Sequence, residues 1–238
     1  MSTSKHRESI RFTKKNGVYY ILDSKGRIKK FKPWLGDIFS FLYDCIMEKS
    51  IFPKKFNGSI QQHFEILNNE LQNIHNKIII EIATGSGNAV EFLNNDNLYT
   101  GIDISAGLLK RAAKRFEQHG FLNAELYIAD ACNIPFSDNY FDIGICNLSL
   151  NFFEDIELFI LELKRVLKPG AVFFCSVPVL NKVKSHVKIR GTIHYEEELK
   201  KYFKKHNFIF KKILHENGAL LYFKATFVTR QNKLERLD

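Results

Sequence analysis

Cysteine, methionine, proline and long apolar runs are scarce in this sequence of 238 residues, which has four Cys, two Met and five Pro. The cysteines form no CxxC pair, so reduced, buried thiols are favoured over disulfides or a zinc site. No stretch approaches the roughly 18 uninterrupted apolar residues of a membrane span, and "MSTSKHRESIRF" lacks the apolar core of a signal peptide. We therefore expect a cytoplasmic chain with no transmembrane segment and no bound metal.

Charge is distributed unevenly along the chain. Residues 1–33 have ten Lys and Arg against two acids, and residues 182–212 have ten against three. The centre, residues 34–181, has 11 against 18. Two basic segments that flank an acidic centre can bind phosphate, nucleic acid or anionic lipid, although a solvated lysine-rich surface produces the same pattern.

Hydrophobic periodicity divides the chain into residues 1–76 and residues 77–238. The first part predicts a basic hairpin over 17–31, centred on the turn "DSKG", and two helices over about 37–48 and 59–74. In the second part strands and helices alternate, which predicts a doubly wound, Rossmann-like α/β fold with a seven-stranded, mostly parallel sheet. Its last strand must be antiparallel, because the turn "HENG" is too short for a parallel crossover.

Three consecutive predicted strands end in residues that suit a nucleotide-like ligand. The first, "IIIEIATGSG", ends in small residues around Gly85 and Gly87 that allow a ligand close to the backbone. The second ends at Asp103, an acid where ribose hydroxyls are usually bound, and the third ends at Asp130, where an adenine would lie. A dinucleotide site is disfavoured, because Val90 stands where G-x-G-x-x-G needs its third glycine or alanine.

From about residue 77 to 227 the chain resembles the class I S-adenosylmethionine-dependent methyltransferases, and among them the type 11, quinone-biosynthesis-like group. "EIATGSG" corresponds to the family's acid-x-G-x-G-x-G motif, with Ala83 at the first glycine, and "TGIDIS" to its ribose-binding segment. "ADACNIPFSDNYFDIGICNLSL" matches the adenine loop and fourth strand, and "ELKRVLKPGAVFFCSVP" matches the next helix and strand. These motifs are specific for the cofactor fold, but they give almost no information about the methyl acceptor.

The resemblance implies S-adenosylmethionine as the cofactor and a role for each residue of its site. Glu81 would fix the loop and the amino-acid end, Asp103 would hold the ribose hydroxyls, and Asp130 would accept from the adenine amine. The full predicted set is Glu81, Ala83, Thr84, Gly85, Ser86, Gly87, Asp103, Ile104, Asp130, Ala131, Asn147 and Leu148. Asp142 lies at the entering end of its strand and is predicted to be structural.

Ala83 provides a geometric test of the loop. In a working loop we expect a negative φ at Ala83, with the methyl group turned away from the ligand. A positive φ, or a methyl group in the methionine site, would indicate a degenerate loop and favour a non-catalytic cofactor-binding or partner module.

Candidates for a catalytic group are weak: His194 and Tyr195 in a predicted substrate-facing loop, and Tyr43 in the N-terminal region, while His63 is expected to be a surface or packing residue. "NLSL" after the fourth strand lacks the [N/D]-P-P-[Y/F] of amino-group base methylation, and no Pro-Cys supports cytosine-C5 chemistry.

The leading hypothesis is a small-molecule methyltransferase that acts by in-line displacement under a lid formed by residues 1–76. The alternatives are an RNA methyltransferase that binds phosphate through the two basic segments, and the non-catalytic module.

Overall fold

The computed structural model describes residues 5–8, 10–31, 42–184 and 186–229, apart from the side chain of Tyr43. The predicted helix over 37–48 therefore lies partly outside the described residues. The N-terminal elements are β1 (Arg11–Lys15), β2 (Val18–Leu22), α1 (Tyr43–Ile46), a π-helix (Met47–Phe56) and α2 (Ile60–Leu71).

The remaining elements alternate as the hydrophobic periodicity predicts. The strands are β3 (Ile78–Ile82), β4 (Leu98–Asp103), β5 (Glu125–Ile128), β6 (Phe141–Asn147), β7 (Leu167–Pro178), β8 (Phe208–Ile213) and β9 (Leu220–Phe227). The helices are α3 (Ala106–Gln118), α4 (Ile156–Val166) and α5 (Glu196–Lys205), with 3₁₀ turns at Asn88–Glu91 and Leu150–Phe152. Between β3 and β4, where the alternation predicts a helix, the chain forms only the 3₁₀ turn at Asn88–Glu91.

All nine strands form one sheet in the order β1-β2-β5-β4-β3-β6-β7-β9-β8. Within the group β3 to β7, every pair of neighbouring strands is parallel. The strand β9 runs antiparallel to both β7 and β8, which confirms the predicted antiparallel last strand. The predicted count of seven strands is wrong, because β2 pairs in parallel with β5 and the N-terminal hairpin extends the sheet by two strands.

The turn of the N-terminal hairpin also differs from the prediction. It lies at Asn16–Gly17, where φ is +51° and +77°, a pair of values that the favoured two-residue hairpin turns require. "DSKG" forms a second turn, held by the backbone N–H of Gly26 on the carbonyl of Asp23. That turn is followed by only an isolated bridge between Leu22 and Ile28, so no second strand forms there.

Apolar layers cover both faces of the sheet. On one face, α4 and α5 pack through side chains such as Phe159, Leu163 and Phe203. On the other face, α2 and α3 pack through Leu67 and Phe116, among others. The carboxyl ends of the parallel strands therefore meet at one edge of the sheet, below the N-terminal helices. Among the helices that the structure describes, none is long and apolar enough to cross a membrane.

Candidate functional site

The loop after β3 is tied to the end of β4 by backbone hydrogen bonds. Thr84 N donates to the Ile102 carbonyl at 3.0 Å, and Gly85 N donates to Asp103 Oδ2 at 2.8 Å. Gly87 has φ +84°, and a Cβ there would lie 2.9 Å from Ala112 on α3. A side chain at 87 would therefore collide with the helix, which explains the glycine.

Ala83 has φ +59°, so the expectation of a negative φ is wrong. The chain turns sharply here, and the Thr84 hydroxyl reaches back to donate to the carbonyl of Glu81 at 3.1 Å. The left-handed conformation costs an alanine about 1–2 kcal/mol relative to the right-handed one. By the criterion stated in the sequence analysis, this positive φ indicates a degenerate loop and favours the non-catalytic module.

Glu81 is a buried acid beside the loop. Its carboxyl accepts a hydrogen bond from the Tyr99 hydroxyl, and Asn147 Nδ2 lies 3.4 Å from Oε1. Burial raises the pKa of Glu81 to about 8, although both hydrogen bonds act to lower it. A cation bound beside this carboxyl would favour its ionised form.

Asp103 and Asp130 lie at neighbouring strand ends on the same edge, because β4 and β5 pair with Asp103 opposite Ile128. Asp103 accepts from Ser105 N and Gly85 N, both at 2.8 Å, and Asp130 Oδ1 accepts from Cys132 N at 2.9 Å. A carboxylate has about four lone-pair sites, so it can accept from several donors at once. We name Glu81 to Gly87, Asp103 and Asp130 the cofactor edge.

A cavity of about 50 Å³ lies between the cofactor edge and the N-terminal helices. Seven predicted cofactor residues line it, namely Glu81, Ala83, Thr84, Gly85, Ser86, Asn147 and Leu148. The opposite side, which we name the helix wall, consists of Met47, Phe52, Ile60, His63 and Phe64. The other predicted cofactor residues, Gly87, Asp103, Ile104, Asp130 and Ala131, are outside the lining of this cavity.

An open groove of about 490 Å³ adjoins the cavity and shares Ile60, Phe64 and Asn88 with it. Its lining includes four acids and a single arginine: Asp44, Glu48, Glu65, Glu91 and Arg115. Asp44 accepts from Ser86 Oγ at 2.5 Å and forms ion pairs with Arg111 and Arg115. This aspartate therefore anchors α1 on the cofactor loop, a contact between distant parts of the chain that no sequence pattern indicates.

His63 is buried, with 3% of its surface exposed, and lines the cavity. Of the two expected positions, surface or packing, the structure shows the packing one, with the ring against Phe52 and Tyr222. Its Nδ1 lies 2.8 Å from the Tyr222 hydroxyl, and burial lowers the pKa of His63 to about 3. The spacing of His63 from Ile60 and Leu67 places it on the apolar face of α2, a signal that the sequence contains.

Two of the predicted catalytic candidates, His194 and Tyr195, are not among the residues that line this cavity. His194 Nδ1 lies 3.7 Å from Glu198 Oε2, and the His194 ring contacts Tyr202 edge-on. Tyr195 is the half-exposed N-cap residue of α5. Tyr43 begins α1, and its side chain lies outside the described part of the chain. Their catalytic roles stay predictions.

Asp142 is structural, as predicted. It accepts from Ile78 N at 2.9 Å and from Lys168 Nζ at 2.7 Å, so it ties together the entering ends of β3, β6 and β7.

The two basic segments lie at opposite ends of the sheet. The hairpin β1–β2 forms one edge, whereas residues 182–212 belong to the end that contains β8. Lys55 Nζ donates to the Lys188 carbonyl at 2.9 Å, which places a lysine of the π-helix beside the second basic segment.

The chain is similar to known proteins in sequence and in fold. A family model described as a methyltransferase domain matches residues 80–175. The demethylmenaquinone methyltransferase of Corynebacterium kroppenstedtii is 33% identical over 106 residues, 43% of either chain. The uncharacterized protein MJ1123 of Methanocaldococcus jannaschii is 31% identical over 162 residues, 67% of this chain and 71% of that one. The crystal structure of a SAM-dependent methyltransferase from Aquifex aeolicus superposes with a TM-score of 0.63 at 17% identity, over 84% of this chain and all of that one.

The chain belongs to the class I S-adenosylmethionine-dependent methyltransferases, whose cofactor is S-adenosylmethionine. It covers only about two fifths of the length of the quinone methyltransferases that it matches, 43% and 39% of two of them.

The cofactor edge fits S-adenosylmethionine, which carries a sulfonium and an ammonium cation beside an adenosine. The buried Glu81 carboxyl in the cavity suits a cation, and the Asp103 carboxylate at the end of β4 is the kind of acceptor that ribose hydroxyls need. A Cβ built on Gly85 meets no atom within 4 Å, so the loop leaves open space on its outer side.

Proposed function

We propose that this protein transfers the methyl group of S-adenosylmethionine to a small molecule bound between the cofactor edge and the helix wall. The observation that supports it is the composition of the cavity, where the predicted cofactor residues face four apolar side chains of the N-terminal helices. Such a wall suits an acceptor that is largely apolar. Matches to enzymes named quinone methyltransferases support the same class of acceptor.

The residues of the site would act by binding and alignment. S-adenosylmethionine supplies the methyl carbon as a sulfonium, and the transfer is an in-line displacement. Asp103 and Asp130 would hold the adenosine, while Glu81 would neutralise the cationic amino-acid end. Asn147 and Leu148 would form the floor, and the helix wall would exclude water and hold the acceptor in line.

The size of the cavity supports a lid formed by the helices over residues 42–76. Drug-sized molecules occupy pockets of about 300–1,000 Å³, whereas this cavity has about 50 Å³. The helix wall would therefore open to admit cofactor and acceptor. The acidic groove beside it is a suitable entrance, because the sulfonium and ammonium groups are positively charged.

The first experiment is calorimetry with S-adenosylmethionine and S-adenosylhomocysteine on folded protein. We expect binding of both at tens of micromolar or tighter, and absent binding would contradict the proposal. A turnover screen against pooled quinols, phenols, lipids and metabolites would then identify the acceptor. Asp103→Ala is the control, because it should abolish any methylation that depends on the cofactor edge.

A second candidate is the non-catalytic cofactor-binding module, which the positive φ of Ala83 favours. A protein of this kind would bind the cofactor through a strained loop but would not transfer its methyl group. Binding of S-adenosylmethionine with no acceptor in the screen would support the non-catalytic module, and methylation abolished by Asp103→Ala would exclude it.

The RNA hypothesis predicts RNA binding that falls steeply with salt, and salt-insensitive or absent RNA binding would exclude this hypothesis.

A further inference from the structure

A buried hydrogen-bond network behind the helix wall determines the proton positions of His63. Asn217 is fully buried, and its amide orientation is unambiguous: Oδ1 accepts from Ser59 N at 2.7 Å and Nδ2 donates to the Ser59 carbonyl at 3.0 Å. A backbone N–H can only donate and a carbonyl can only accept. Gly58 makes this approach possible, since a Cβ there would lie 2.4 Å from Asn217 Oδ1.

The same amide determines how Tyr222 bonds to His63. Asn217 Nδ2 also donates to the Tyr222 hydroxyl oxygen at 3.1 Å, which leaves the hydroxyl hydrogen free to point towards His63 Nδ1 at 2.8 Å. Burial raises the pKa of Tyr222, so the hydroxyl keeps its hydrogen, and burial keeps His63 neutral. If His63 Nδ1 were the donor, the Tyr222 hydrogen would lack an acceptor among the described residues, at a cost of about 1–3 kcal/mol. His63 Nδ1 is therefore an acceptor, and the ring proton lies on Nε2.

The Nε2–H group faces the cavity. Among the described residues no hydrogen bond is made by His63 Nε2, although Nδ1 has one. Three described side-chain atoms are fully buried without a hydrogen-bond partner, and His63 Nε2 is not one of them. Because Nε2 has no partner either, it must belong to the small part of the ring that is accessible. Since His63 lines the cavity, this donor is directed at whatever binds there.

The position of the ring favours the methyl acceptor over the cofactor as its partner. Tyr222 lies on β9 opposite Ser176 of β7, and Ser176 Oγ donates to Asn147 Oδ1 at 3.2 Å. His63 is thus anchored over β7 and β9. Asp103 and Asp130 follow β4 and β5, on the other side of β3.

We propose that His63 donates a hydrogen bond from Nε2–H to an oxygen of the methyl acceptor, and that Tyr222 and Asn217 are the positioning residues that fix this tautomer. The inference rests on the proposed function. It names the acceptor class: an apolar molecule with a phenolic, enolic or carbonyl oxygen at or beside the methylated atom. A donor to such an oxygen favours its anionic form, so a neutral His63 promotes ionisation of a phenolic or enolic acceptor, whose proton leaves to solvent as the acceptor binds, and His63 does not serve as a base.

The binding test uses 2-naphthol and naphthalene as probes in the presence of S-adenosylhomocysteine. We expect the wild-type protein to bind 2-naphthol about 10-fold tighter than naphthalene, the size of one net hydrogen bond. The absorbance of bound naphthol should show ionisation at lower pH than in solution. His63→Phe should remove both effects, and His63→Gln, which retains a donor near Nε2, should restore part of each.

Calorimetry with S-adenosylhomocysteine separates the possible failures. We expect its affinity to change less than about twofold in both variants. A large loss of S-adenosylhomocysteine affinity in the His63 variants, with an unchanged preference for naphthol, would mean that His63 Nε2–H binds the cofactor carboxylate. That result would overturn the proposal. A wild-type protein that binds S-adenosylhomocysteine but shows no preference for naphthol would also overturn it, while leaving the proposed function intact. Failure to bind the cofactor at all would count against the proposed function itself.

The tautomer is tested without any ligand by ¹⁵N NMR of histidine-labelled protein. We expect the His63 Nε2–H tautomer in the wild type and a shift towards Nδ1–H or a mixture in Tyr222→Phe, which removes the hydroxyl but leaves the ring. An Nδ1–H tautomer in the wild type would contradict the deduction from Asn217. Thermal unfolding of each variant verifies that the protein remains folded.

Discussion

The cofactor edge and the helix wall enclose one cavity but are built differently. The cofactor edge is polar and local: short loops at strand ends direct backbone N–H groups at carboxylates such as Asp103. The helix wall is largely apolar, and its one polar ring, His63, is oriented by Tyr222, which is 159 residues away in the sequence. In the proposed function, recognition of the cofactor would thus depend on local chain geometry, and recognition of the acceptor on tertiary packing.

Removal of Asp103 should have the largest effect and be confined to the cofactor edge. Asp103→Ala removes the acceptor of two loop N–H groups and the proposed ribose contact. Because hydrogen bonds to charged groups contribute about 1.5–3 kcal/mol each, we expect S-adenosylhomocysteine affinity to fall at least about 100-fold in calorimetry. Asp96→Ala, which alters an exposed acid paired with His75, is the matched control and should change little. Equal affinities in the two variants would contradict the proposed ribose role.

Glu81 should make stability depend on pH. Its pKa is about 8 in the folded protein against an ordinary value of 4.5, so the folded state binds the proton more tightly than the unfolded state. This contribution to stability is complete below the unfolded value and is lost as pH rises through 8. Between pH 6 and 8 the wild type should therefore lose about 2–3 kcal/mol more than Glu81→Gln in urea unfolding. Parallel pH profiles for the two proteins would show that Glu81 ionises normally.

Asp44 connects the two regions, and loss of its charge should loosen the helix wall, while an asparagine oxygen at this position can still accept from Ser86 of the cofactor edge. Asp44→Asn weakens half-exposed ion pairs to Arg111 and Arg115, worth about 1 kcal/mol at most after solvent screening. We expect faster amide hydrogen exchange over residues 44–56 and faster release of S-adenosylhomocysteine. Glu117→Gln, an exposed change on α3 outside the lining of the cavity and the groove, is the control. Unchanged exchange over α1 would show that Asp44 does not hold these helices.

Ala83→Gly should have the smallest effect and tests whether the cofactor loop is degenerate. Glycine adopts φ +59° without strain, so we expect a gain of about 1 kcal/mol in stability with equal or tighter cofactor binding. Ala89→Gly, at a buried 3₁₀ position, should instead destabilise by a similar amount. If Ala83→Gly converted a protein without turnover into an active enzyme, the natural loop would be the degenerate form.

Much of the core fold could be predicted from the sequence because its signals are local. The alternation of apolar runs with amphipathic helices predicted the core strands after residue 77 to within a few residues. The hairpin turn at Asn16–Gly17 also has a local signal, since Asn-Gly is the strongest short hairpin signal, and the predicted centre at "DSKG" is wrong. The pairing of β2 with β5 had no local signal, because any strand of suitable length can extend an open sheet edge.

The sequence by itself determined the order of strands and helices after residue 77 and the acids at three strand ends, because periodicity and chain spacing depend on neighbouring residues. Only the tertiary structure decided the conformation of Ala83, the anchoring of α1 by Asp44 and the tautomer of His63. Each of these depends on contacts between residues far apart in the chain. The packing that closes the sheet against the helices brings them together, and no local pattern specifies it.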